Sequence, residues 1–175
     1  RMTKTRALAI RQQLTPDRWQ MFLSIADNAH KSRALKVTSV QDAALRIEAG
    51  DEIGLPPIAA IRSIYIVNGQ PAIRPKSAWA LIMGHPEFDP SGFKEEELTD
   101  KDGKFHGWRI TLKRRNGLSF IRQFTLDDAR QAGLLTKDNW VNYPKYCCYW
   151  RALGAVEDVA FPYVLMGLYR ADELG

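Results

Sequence analysis

An Asn68-Gly69 pair between two runs of β-forming residues is the feature that most constrains how this chain can fold. The runs cover residues 61–67 and 70–74. A tight type I′ turn needs positive φ at both central positions, and Asn and Gly tolerate that conformation best. The sequence therefore predicts a β-hairpin here.

Helices are predicted on both sides of this hairpin. Ser39 is a good N-cap, and the apolar residues after it recur at helical spacing up to Ile47. Gly50 and Gly54 can supply the positive φ that ends such a helix, and Pro56-Pro57 cannot continue it. A short helix is predicted over residues 76–83, after the hairpin.

The rest of the chain repeats these two kinds of element. Residues 108–124 are predicted to form a second hairpin, preceded by an exposed acidic loop over residues 87–107. Thr125 begins a short helix, and residues 144–160 form a longer one. Because no βαβ crossover is present, we expect an α+β fold: a small antiparallel sheet from two hairpins, packed on helices that include one long C-terminal helix.

The chain is long enough for one domain with a real core. Its 175 residues, 45% hydrophobic and 26% charged, have the composition of an ordinary globular protein. We predict a basic N-terminal helical region over residues 1–38, with a helix from Thr15-Pro16 to near His30, and a core over residues 39–175, together forming one compact domain.

A cytoplasmic protein is expected. No run approaches the roughly 18 consecutive apolar residues that a membrane span needs, and the first residues lack the apolar segment of a secretory signal. Cys147 and Cys148 are adjacent and poorly placed to bond to each other, so a disulfide-stapled secreted domain is not expected.

Charge is unevenly distributed along the chain, whose formal net charge is +5. Residues 105–125 hold five cations and no acid, whereas residues 87–104 hold seven acids and three lysines. Segregated charge of this kind suits a polyanion bound along one surface. The alternative, that these charges only solvate exposed faces, stays open.

Several kinds of chemistry have little support, and no cofactor is expected. Neither a GxxxxGK[ST] loop nor a GxGxxG motif is present, which argues against nucleotide hydrolysis. The acids between Glu95 and His106 lie in the predicted loop, where a metal site would lack rigid support. Lys145 and Arg151 could lower a thiol pKa at Cys147 or Cys148, but a buried helix-face cysteine is the preferred interpretation.

Nucleic-acid binding fits the residues best. A single strand is held by cations along its backbone and by aromatic rings under its bases. Tyr65 and Tyr149 are the candidate stacking residues, whereas core packing is the preferred role of Trp79, Trp108 and Phe120. The candidate cations on or next to the hairpins are Arg62, Arg74, Lys76, Arg109, Lys113, Arg114, Arg115 and Arg122.

Four short motifs occur in a characteristic order: Gly54-Leu55-Pro56-Pro57, Gly69-Gln70-Pro71, Ala132-Gly133-Leu134 and Trp140-Val141-Asn142-Tyr143-Pro144. This order resembles the RecT / Red-beta family of phage single-strand annealing proteins, over residues 39–174. The resemblance implies a RecT/Red-beta-like annealing core, with a small sheet backed by a long helix and protomers side by side in rings or helical filaments.

The resemblance also implies roles for particular cations. Lys76 and Arg151 match positions that line a groove for the DNA backbone in RecT-like proteins. Family members carry a Lys-Lys pair a few residues before that arginine, where this chain has Tyr146 and Cys147. Lys145 is adjacent and is the candidate substitute at this departure from the family pattern, which bears on strand affinity or on the path of DNA along this helix.

Together these observations predict an ATP-independent annealing protein of homologous recombination, without covalent chemistry of its own. We expect single-stranded DNA and the annealed duplex as ligands, a homo-oligomer, and no membrane. The resemblance implies a phage exonuclease and the host single-strand binding protein as partners. The alternatives are a DNA-binding module that does not anneal, and a phage structural or assembly protein.

Overall fold

A computed structural model describes residues 13–174 and shows an α+β protein. Within that range the chain forms eight α-helices, and its strands make two small three-stranded sheets. The α+β prediction is therefore confirmed, but the two hairpins belong to two separate sheets rather than to one. None of the helices described is long and apolar enough to cross a lipid bilayer.

The chain divides into two compact units, and the boundary lies between Ala72 and Ile73. The predicted boundary after residue 38 stays a prediction. Residues 1–12 of the predicted basic N-terminal region lie outside the described residues.

The elements that precede or reach this boundary are α1 (Pro16–Ser32), α2 (Val40–Glu52), α3 (Pro57–Ser63), β1 (Ile64–Val67) and β2 (Gln70–Ile73). Both predicted helix starts are confirmed. The Thr15 side chain accepts a hydrogen bond from the Arg18 N–H at 3.2 Å, and the Ser39 side chain accepts one from the Asp42 N–H at 3.0 Å. Each cap satisfies an N–H that the helix itself leaves unpaired.

Helix α3 includes the first three residues of the run that was predicted to be a strand. The expectation that residues 61–63 are extended is wrong, because they form the last turn of α3. Pro57 suits the first helical position, where a missing N–H costs nothing. Ile61 is buried in the core with α1 and α2, and this burial outweighs its β propensity. At Gly50 the helices are so close that a Cβ would lie 2.3 Å from the Ala60 Cβ.

The first hairpin turn is confirmed. Asn68 has φ of 51° and Gly69 has φ of 77°, so both central residues are in the left-handed region. Strands β1 and β2 flank this pair directly, as the sequence predicts for a type I′ turn.

The remaining elements are α4 (Pro75–Met83), a short 3-10 helix (Pro90–Gly92), β3 (Lys94–Thr99), β4 (Phe105–Lys113), β5 (Ser119–Thr125), α5 (Leu126–Gln131), α6 (Asp138–Asn142), α7 (Pro144–Ala160), β6 (Tyr169–Arg170) and α8 (Ala171–Leu174). Strands β3, β4 and β5 form an antiparallel sheet in that order. The predicted second hairpin is β4 and β5, and the predicted long helix is α7, with both of its ends as expected.

The core of the second unit lies between this sheet and α7. Ile110 and Leu112 of β4 are fully buried with Leu153 and Val156 of α7. The apolar residues of β4 therefore face α7. The helix α5 also begins as expected, because Thr125 and Asp128 form a reciprocal capping box.

Strand β3 corrects the predicted acidic loop. Residues 94–99 pair with β4, and Glu96 lies opposite Arg109 in the register. The strand is at the sheet edge and is largely exposed, so neither face needs apolar residues and the usual alternation is missing. A run of charged residues on an edge strand also discourages pairing with a further strand.

Candidate nucleic-acid interface

A cleft of about 310 Å³ in the second unit brings together three of the predicted cations. Helix α4 and its N-cap residue supply Lys76 and Arg74, and α7 supplies Arg151. We call this the basic cleft. The other lining residues that matter for its chemistry are Tyr146, Trp150 and Asp172.

The start of α4 places two cations at one wall of the cleft. Arg74 is extended and Pro75 is at the first helical position, with the Ala78 N–H donating to the Arg74 carbonyl at 3.0 Å. The side chains of Arg74 and Lys76 are both exposed. The first turn of a helix carries a partial positive charge, so this wall favours an anionic group.

Arg151, the third cation of the cleft, is paired with an acidic residue, Asp172. Its side chain is 19% exposed, and its Nε lies 3.5 Å from Oδ2 of Asp172. Its Nη2 also donates to the main-chain carbonyl of Asp172. Burial raises the pKa of Asp172, and the Arg151 charge opposes that rise. Among the described residues, Asp172 is the one acid that lines the cleft, against three cations.

Two aromatic side chains complete the basic cleft. Tyr146 is 54% exposed, and its ring meets Trp150 edge to face, with centroids 5.9 Å apart. Sequence reasoning did not select Tyr146 as a contact. The available signal was its spacing, because it comes four residues before Trp150 and so shares a helix face with it.

Three predicted DNA contacts are instead paired with the glutamates of β3. Arg109 Nη1 lies 3.1 Å from a Glu96 oxygen, and Lys145 Nζ lies 2.6 Å from Glu97. Tyr149 donates its hydroxyl hydrogen to Glu95 at 2.5 Å. Burial, together with this carboxylate, raises the pKa of Tyr149.

Tyr149 is also packed among other rings. Its ring lies edge to face with Trp108 and with Trp150, at centroid distances of 5.5 and 5.3 Å. These contacts hold it within the aromatic cluster of α7 and the sheet. Tyr149 would have to lose its contacts with both tryptophan rings before it could stack under a DNA base.

The three cations at the turn of the second hairpin, Lys113, Arg114 and Arg115, each contact a different partner. Lys113 lies 3.4 Å from Asp89, and hydrogen bonds from Ser91 and then from Lys113 hold the pKa of that carboxyl below its usual value. Arg115 is exposed and donates from Nε to the Pro86 carbonyl at 3.0 Å.

Arg114 packs against aromatic rings and has a structural role. Its guanidinium carbon lies 5.3 Å from the ring centroid of Phe120 and 5.5 Å from those of Phe161 and Tyr163. Its Nε donates to the Ala160 carbonyl at 2.6 Å. A cation held by three rings and a carbonyl stabilises the fold, and contacts of this kind gain strength as water is excluded.

The last three candidates are not among the residues that line the basic cleft. Arg122 is exposed on β5, where its Nη1 donates to the Ile121 carbonyl at 2.8 Å. In the first unit, Arg62 is exposed on α3 rather than on the hairpin. Tyr65 is half-buried there, with the Arg46 guanidinium 5.5 Å from its ring centroid, so that one face of the ring is occupied.

Thiol and metal chemistry find no support among the described residues. Burial raises the pKa of the Cys148 thiol to about 12, and it raises that of Cys147 as well. Both thiols are therefore protonated at neutral pH, which is the opposite of an activated nucleophile. Within residues 13–174, no group of His, Cys, Asp and Glu side chains is arranged to hold a metal ion.

No model of a protein family matches the chain, and a search of curated proteins finds no significant match.

Proposed function

We propose that the basic cleft binds the phosphate backbone of single-stranded DNA. The observation that carries this proposal is the convergence of Arg74, Lys76 and Arg151 on one cleft, beside the positive end of α4 and the exposed ring of Tyr146. Cations along a groove with an aromatic ring beside them are the usual means of holding a single strand.

Binding of this kind is independent of sequence. The three cations contact phosphates, which carry no sequence information, and Tyr146 can stack on any base. Each phosphate contact to a single strand contributes about 0.7 to the slope of log affinity against log salt. Three contacts therefore correspond to a slope of about −2 for each protomer.

We further propose that the chain acts as an oligomer that pairs complementary strands without ATP, as RecT-like proteins do. A site with so few cations binds weakly alone, and many protomers on one strand would make the contacts strong through avidity. The RecT-like core, the oligomer and the partner proteins are proposed on the four sequence motifs, to which the comparisons add nothing.

Annealing of two complementary labelled oligonucleotides, without ATP or metal, tests this function. We expect faster pairing with the protein than without it, together with large assemblies by light scattering. Oligonucleotides that are not complementary provide the control, since they should be bound but not paired.

Two other outcomes have defined meanings. Binding without faster pairing would identify a non-annealing module, and the presence of Tyr146 and Cys147 where RecT-like proteins carry a lysine pair favours this second candidate. Absence of binding at low salt would reject DNA as the ligand and favour a phage structural or assembly protein.

A further inference from the structure

Helix α8 places a carboxylate where the proposed ligand would place a phosphate. Asp172 lines the basic cleft, and Oδ2 of its carboxylate lies 3.5 Å from the Arg151 Nε. The Asp172 main-chain carbonyl accepts a second hydrogen bond from the same guanidinium. One acidic residue therefore engages one of the three cations on which the proposed DNA site depends.

This closed arrangement leaves two polar atoms unsatisfied. Oδ1 of Asp172 and Nε1 of Trp150 are buried, and neither has a hydrogen-bond partner among the described residues. Both residues line the basic cleft. A buried polar atom without a partner costs free energy that is recovered once water reaches it. Displacement of the Asp172 side chain from Arg151 would return its Oδ1 to water, so the contact is poised to open.

The residue before α8 is firmly anchored. Arg170 has only 2% of its side chain exposed, and its Nη2 lies 2.6 Å from Glu157, which is equally buried. The same guanidinium contacts Asp158 at 2.8 Å and Glu173 at 3.3 Å. Removing a partner from a buried ion pair is strongly unfavourable. This anchor is therefore expected to hold while the more exposed Arg151–Asp172 contact breaks.

We propose that the Asp172 side chain on α8 is an acidic gate on the basic cleft, which occupies Arg151 until a DNA phosphate displaces it. This inference rests on the proposed function, because it assigns regulation to the same site. The gate sets a threshold: a strand that supplies phosphates to Arg74 and Lys76 also competes for Arg151, whereas a small anion has to compete at Arg151 alone.

The test is Asp172→Asn, which removes the charge and keeps the shape of the side chain. We expect it to bind a fluorescein-labelled oligothymidylate about three- to tenfold more tightly than the wild type at low ionic strength, measured by anisotropy. The matched control is Asp102→Asn, which makes the same change of charge at an exposed residue that does not line the cleft. It should change the affinity by less than about twofold.

A second background separates the gate from a general effect of charge. In an Arg151→Gln protein the gate has nothing to cover, so Asp172→Asn should no longer increase the affinity. An increase that persists in this background overturns the gate. Equal affinities of the wild type, Asp172→Asn and Asp102→Asn also overturn it and leave the proposed function standing. If none of the folded variants binds, the proposed function fails and the gate fails with it.

Discussion

The basic cleft and the sheet of β3, β4 and β5 carry similar numbers of predicted DNA-binding cations, but their surroundings differ. On the sheet, Arg109 and Lys113 each lie within 3.4 Å of a carboxylate, and Arg114 lies among three rings. Among the described residues that line the cleft, the one acid, Asp172, pairs with Arg151. The difference indicates that convergence of cations on one cleft, rather than proximity to a hairpin, marks a candidate contact.

The largest expected effect distinguishes the two regions directly. Replacing Arg74 and Lys76 together by Gln should weaken binding of single-stranded DNA about 30-fold at low salt and flatten the salt slope by about 1.4. The matched control is Arg109→Gln with Lys113→Gln, which removes the same charge from the sheet and should change affinity by less than about threefold. Equal losses in both proteins would contradict the distinction.

Arg114 should affect stability rather than binding. Arg114→Met removes the cation from its rings and leaves the Ala160 carbonyl without its donor, so we expect a loss of about 2 kcal/mol in the free energy of unfolding. Urea titration measures this change. Arg115→Met, at the exposed neighbour, should stay within about 0.5 kcal/mol of the wild type. A loss of DNA affinity in the folded Arg114 variant would return this turn to the binding site.

The aromatic residues give a smaller contrast. Tyr146→Ala should weaken binding of single-stranded DNA about tenfold, because base stacking contributes about 1–3 kcal/mol, and Tyr146→Phe should preserve it. Tyr149→Phe removes only the hydrogen bond to Glu95 and should leave affinity unchanged. Fluorescence anisotropy measures all three variants. A loss of affinity in Tyr146→Phe as large as in Tyr146→Ala would contradict stacking by this ring.

The smallest effect is expected from removing the carboxylates on the sheet that pair with cations. Glu96→Gln with Glu97→Gln releases Arg109 and Lys145 from their ion pairs. We expect DNA affinity to rise about threefold, since exposed pairs are weak and screened. Glu52→Gln with Asp102→Gln changes the net charge equally at exposed residues and is the control. A rise of the same size in the control would assign the effect to net charge alone.

Local chemistry in the sequence predicted much of the fold. The Asn68-Gly69 turn, the Ser39 and Thr15 caps and the whole of α7 depend on residues near one another in the chain, and all are confirmed. Strand β3 was missed because an exposed edge strand needs no apolar alternation. Its assignment depends on pairing with β4, which residues 94–99 do not reveal by themselves.

The site was harder to predict than the fold. The resemblance selected Lys76 and Arg151, which line one cleft, but the partners of the other cations depend on strand register and helix contacts. Glu96 meets Arg109 across 13 residues, and Glu97 meets Lys145 across a longer interval. Charge counted along a sequence cannot show which cations are already paired.

Helix α7 supplies residues to both regions, which limits how the chain could be lengthened. Tyr149 faces Glu95 of the sheet, whereas Tyr146 and Arg151 line the cleft. Successive residues of an α-helix are rotated by about 100° around its axis. One residue inserted after Tyr149 would therefore rotate Arg151 away from the cleft, while Tyr146 stayed in place. Insertions in this helix would therefore break the cleft without touching any residue that lines it.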